Sequence, residues 1–155
     1  MRVRPEAKAM KRTWIVLFSL VGTTAFAQLP TESVPPVATM KQLMLDLIHP
    51  ASNDILLFVN RGAPAHDSEW ASVRRSALTL AESGNLLGAR GRARDQGDWI
   101  KDAKTLADAG AAAYKAAQAK DFTALAALAE SLDASCTTCH KQYRPNVFPR
   151  EGGSK

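Results

Sequence analysis

Cys136-Thr137-Thr138-Cys139-His140 gathers both cysteines of the chain and one of its three histidines within five positions. On a helix, residues three and four apart share a face. The spacing therefore presents two thiols and an imidazole to one side. Two thiols so placed match the two vinyl groups on one edge of a porphyrin, and the neighbouring imidazole then reaches the iron. The pattern reads as c-type haem attachment, with Cys136 and Cys139 as thioether partners and His140 as the proximal iron ligand. Three other chemistries compete for these residues. A Cys136–Cys139 disulfide would close too small a loop to stabilise the fold much. A redox dithiol belongs with a strand–helix unit. A zinc site would need a fourth ligand, and the remaining histidines are His49 and His66.

These residues have to be positioned by helices, because strand signals are almost absent and Ala and Leu dominate. Four helical segments are predicted. The first opens at Thr39, where Thr39-Met-Lys-Gln42 has the order of a capping box. Met40, Leu43, Met44, Leu47 and Ile48 form its apolar face. Pro50 interrupts that pattern, so one kinked helix or two short ones in line are expected up to Arg61. Asp67 or Ser68 is placed to cap the second helix, whose inward residues include Trp70, Val73, Ala77, Leu80 and Leu87. A polar connection with Arg90, Arg92 and Arg94 follows, as a solvated loop or a docking patch. The third helix runs from about Asp98 to Ala119, with Ile100, Ala103, Leu106, Gly110, Ala113 and Ala117 inward. Its small residues admit a close neighbour. Asp121 caps a fourth helix that ends before Pro145 and carries Phe122, Leu125, Leu128, Leu132, Cys136 and Cys139. The fold class is all-α, and four amphipathic helices with short connections pack best as an antiparallel four-helix bundle.

The first 27 residues read as a secretory signal peptide. Five Lys and Arg stand in the first 12 positions, an apolar run follows from Trp14, and Ala25-Phe-Ala27 is a small-x-small exit. The apolar stretch is too short to span a bilayer comfortably, so the mature chain has no membrane span and is periplasmic. The chain has 20 Lys and Arg against 15 Asp and Glu. The leader holds five and one of these, which leaves 15 against 14. The high isoelectric point thus belongs mostly to the leader, and nucleic-acid binding is excluded as a reading. The expected organisation is a leader at 1–27, an extended lead-in at 28–38, a helical domain at 39–145 and a tail at 146–155.

An exported four-helix chain with Cys136-x-x-Cys139-His140 on its last helix resembles the class II c-type cytochromes, the cytochrome c-prime family. The resemblance covers about Thr39 to Pro145 and is most specific from Cys136 to Arg144. It implies one covalent haem c lodged between helices near one end of the bundle. It also implies homodimers packed through the first two helices. Relatives carry basic residues just after the haem histidine. Lys141 and Arg144 approximate that pattern, either neutralising a haem propionate or forming a solvated helix end.

The resemblance further implies that the distal iron position is filled from the first helix. Low-spin relatives place a methionine there, and c-prime proteins leave the iron five-coordinate. Met40 and Met44 are the methionines beyond the leader. Met44, one turn inside the helix, is expected to ligate the iron. Leu45 is the alternative distal residue. His49 lies five positions beyond Met44 and would face elsewhere on a regular helix, and His66 falls in a polar loop. Trp70, Trp99, Phe122, Tyr143 and Phe148 are expected to pack in the core or at the haem edge. No general acid, base or nucleophile stands in a believable constellation, so no enzyme is expected. The expected function is electron transfer with redox partner proteins. The alternative is a five-coordinate binder of nitric oxide or carbon monoxide gated by Leu43, Met44, Leu45 and Leu47.

Overall fold

Thr39 opens the first helical rod with the reciprocal cap its sequence predicts. The Gln42 amide donates to Thr39 Oγ1 at 3.2 Å, and the Thr39 amide donates to Gln42 Oε1 at 3.0 Å. In the computed structural model, residues 35–64, 66–89 and 91–147 are described. The expected leader, most of the lead-in, Arg90, Phe148 and the tail beyond Val147 lie outside them. The rod continues without a break through α1 (Met40–Gln42), a π-helical turn (Leu43–Ile48) and α2 (His49–Arg61). Pro50 supplies a reason for the π turn. Its ring has no amide to donate and would crowd the carbonyl four residues back. The wider turn instead lets the His49 amide bond the Met44 carbonyl, five residues back. The expected kink is thus replaced by a change of helical register.

α3 (Asp67–Gly88) starts one residue earlier than expected, with His66 as the capping residue. The His66 amide donates to the Glu69 carboxylate at 3.1 Å. α4 (Asp98–Ala119) packs against α3 more extensively than any other pair of elements. A Cβ on Gly84 would strike the backbone around Ala103 and Ala107, and one on Gly110 would strike the backbone of Ala81 and Leu80. Backbone therefore lies on backbone at both glycines. Rising numbers along α3 meet falling numbers along α4, so these two helices run antiparallel. Asp121 accepts the Ala124 amide at 2.9 Å and starts α5 (Phe122–Ala126). A two-residue turn leads into α6 (Ala129–Tyr143). The expected fourth helix is therefore divided.

The chain is all-helical, with no strand among the described residues. Its core joins every principal helix through Leu43, Ile55, Leu80, Ala113, Leu125 and Leu132, each at most 1 % exposed. An aromatic pair closes each end. Phe58 meets Trp70 edge-on at 5.0 Å where α2 ends and α3 begins. Trp99 meets Tyr143 at 4.8 Å where α4 begins and α6 ends. Among the described residues, no helix is long and apolar enough to cross a membrane.

Candidate functional site

The Trp99–Tyr143 end is where the predicted chemistry collects. α6 is anchored there by Leu132 and Ser135, both buried, and this fixes the direction of the next turn. That turn carries Cys136, Cys139 and His140, all half-buried, with both cysteines as free thiols. They face the start of the first rod. Three cavities of about 360, 340 and 30 Å³ surround this turn. Met44 and His140 are the two residues that line all three. Met40 lines the largest alone, and Leu45 lines the two larger ones. Leu43 is buried in the core, and neither it nor Leu47 lines any of the three.

The electrostatics keep both thiols and the His140 imidazole uncharged near pH 7. Burial pushes the Cys136 thiol up, and burial with the neighbouring Asp102 carboxylate pushes Cys139 up to about 11. Burial, then the Arg144 guanidinium, holds His140 below the usual histidine range, so its imidazole is neutral near pH 7. Asp102 lines the smallest cavity, and its Oδ2 is buried without a hydrogen-bond partner. Burial, then the neighbouring Asp98 charge, raises its carboxyl above the usual range. Among the described residues no three His, Cys, Asp or Glu side chains converge as metal ligands.

The largest cavity is lined by the apolar Met40, Met44 and Trp99, with Lys41, Arg94 and Arg144 also on its walls. Of the two basic residues singled out after His140, Arg144 lines both larger cavities, whereas Lys141 is exposed and lines none of the three. The arginine-rich connection is divided in the same way. Arg94 lines the largest cavity, while Arg92 turns inward and donates to the Ala38 carbonyl at 3.3 Å. Arg92 is therefore a brace for the lead-in.

Trp99 and Tyr143 are held firmly in the cavity wall. Trp99 Nε1 donates to the buried Leu87 carbonyl at 2.8 Å, and Tyr143 donates to Asp95 at 2.5 Å. Asp102 was not visible as a site residue in the sequence. Its position four residues after Asp98, on the edge of an otherwise small apolar stripe, was the available signal. His66 caps α3 and takes no part in the site. His49 does take part. It lines the 340 Å³ cavity with Met44 and His140, contrary to the direction a regular helix predicts. Comparison with protein-family models, with curated proteins and with solved structures returns no match.

Proposed function

We propose that this chain is a periplasmic electron-transfer c-type cytochrome of the class II type, an antiparallel four-helix bundle carrying one covalent haem c near one end. The observation that carries the reading is that Met44 and His140, on different elements, line all three cavities around Cys136 and Cys139. The residues present fit the group. Both thiols are protonated and free, the form in which each S–H adds across a vinyl group, sulfur to one carbon and hydrogen to the other. The His140 imidazole is neutral, as an iron ligand must be. Arg94, Arg144 and Lys41 are available to the propionates.

When bound, the haem supplies a one-electron couple. The chain's part is to set its ligands and exclude water. His140 would hold the iron from α6 and Met44 from the first rod, where a methionine sulfur would raise the potential. Redox partner proteins approach the end of the bundle where α6 terminates. A homodimer packed through α2 and α3 belongs to the same reading. The chain carries electrons and transforms no substrate.

The test is the optical and electron paramagnetic resonance spectrum of the oxidised protein matured in a periplasm. Low-spin iron with a methionine-to-iron charge-transfer band, the band disappearing in Met44→Ala, is the expected result. High-spin five-coordinate iron in the unaltered protein overturns Met44 as ligand and makes the chain a binder of nitric oxide or carbon monoxide.

A further inference from the structure

We infer that His49 is a second iron-ligating residue on the distal side, placed to take the position of Met44 when the methionine sulfur is lost. The inference rests on the haem reading above and concerns a residue that reading does not use.

Helical register decides which of these side chains share a side. In an α-helix each residue turns about 100°, so positions five apart point about 140° away from one another. In the π turn Leu43–Ile48 the hydrogen bond runs from residue i to i+5, and the His49 amide closes that turn on the Met44 carbonyl. Residues 44 and 49 therefore stack on one side. The cavity walls agree with the register, since Met44, His49 and His140 share the 340 Å³ cavity. Pro50 follows His49 directly and favours the π turn over a regular one, so the same local sequence supplies the histidine and aims it.

Chemistry selects His49 from the other residues on that wall. Ser52, Asn53 and Thr137 are poor ligands for haem iron. Asp133 belongs to α6, two turns before His140, on the proximal element. Imidazole nitrogen suits iron in either oxidation state. Methionine sulfur is lost as a ligand when a peroxide, a two-electron oxidant, transfers one oxygen atom to it, giving the sulfoxide and, from hydrogen peroxide, water. A chain with both residues on one face keeps its iron six-coordinate when the thioether is damaged. His49 is exposed and lines that cavity, so its ring is not locked in a packed core.

The experiment compares oxidised spectra of the full matured protein with those of Met44→Ala, His49→Ala and Met44→Ala/His49→Ala, with covalent haem content measured in each. Met44→Ala should lose the sulfur-to-iron band yet remain low-spin, with the signature of two imidazoles. The double variant should become high-spin. Carbon monoxide should bind ferrous Met44→Ala about tenfold or more weakly than the double variant, because the open site is then the minor form. His49→Ala alone should keep the methionine spectrum. Where the double variant fails to mature, Met44→Ala/His49→Gln replaces it with the same expectation. A high-spin Met44→Ala beside a low-spin parent overturns the inference and leaves the electron-transfer reading standing. A parent that is itself high-spin overturns both ligand assignments, and a parent without covalent haem overturns the haem reading.

Discussion

Tyr143 donates a 2.5 Å hydrogen bond to Asp95 across 48 positions of sequence, fastening the last turn of α6 to the loop before α4. Asp95 also accepts the amides of Gly97 and Trp99, at 2.9 and 3.0 Å, and so caps the start of α4. One carboxylate thus joins the helix that carries Cys136, Cys139 and His140 to the helix that carries Asp102. These bonds hold the Asp95 carboxyl below the usual range, while burial, then the hydrogen bond to Asp95, holds the tyrosine above its own. Tyr143→Phe should lower the thermal midpoint while leaving helical content intact, as read by circular dichroism. Because Tyr143 lines the largest cavity, the same variant should broaden the iron resonance without changing the spin state. An unchanged midpoint would remove Tyr143 as the fastening.

Gly110→Ala should destabilise the chain by about 1–3 kcal/mol in urea unfolding, through overpacking against Ala81 and Leu80. Helix propensity alone argues the other way, favouring alanine by about 1 kcal/mol. The sign of the measured change therefore decides whether α3 and α4 meet backbone to backbone.

The protein made without haem and kept reduced should have a stability maximum bounded by its site. Cys139 is pushed up to about 11 from an ordinary 9.0. Above pH 9 the unfolded chain loses that proton first, so stability falls progressively between pH 9 and 11. His140 is depressed from 6.5, so below that pH the unfolded chain gains a proton first and stability falls again. Unfolding midpoints across the pH range check both edges. Asp102→Asn should bring the Cys139 thiol down, seen as earlier thiolate absorbance, because one of its two main causes is removed. Burial remains, so the shift is partial. No change in that titration would contradict the Asp102–Cys139 contact.

Much of the framework was legible because helix stripes and caps are local. Trp70, Val73, Ala77, Leu80 and Leu87 are buried on α3 as their 3.6-residue spacing predicts. Thr39 and Asp121 cap helices where their side chains suggested. What escaped depends on register or on distant pairing. Pro50 announces a disturbance without saying that a π turn absorbs it and leaves His49, exposed near the middle of the rod, on the wall of the 340 Å³ cavity. The break after Ala126 has no glycine or proline to signal it. The Tyr143–Asp95 and Asp102–Cys139 contacts join residues dozens of positions apart, and no periodicity encodes them. Arg92 shows the converse error. This polar-loop arginine donates to the Ala38 carbonyl 54 positions away, a pairing that loop composition does not announce.

Covalent haem on Cys136 and Cys139 is decided by the intact mass of the chain matured in a periplasm. Under denaturing conditions the expected mass is the mature chain plus one haem, falling to the chain alone when both cysteines are replaced by serine. A parent chain whose mass carries no haem, with both thiols free to react with an alkylating reagent, would contradict it.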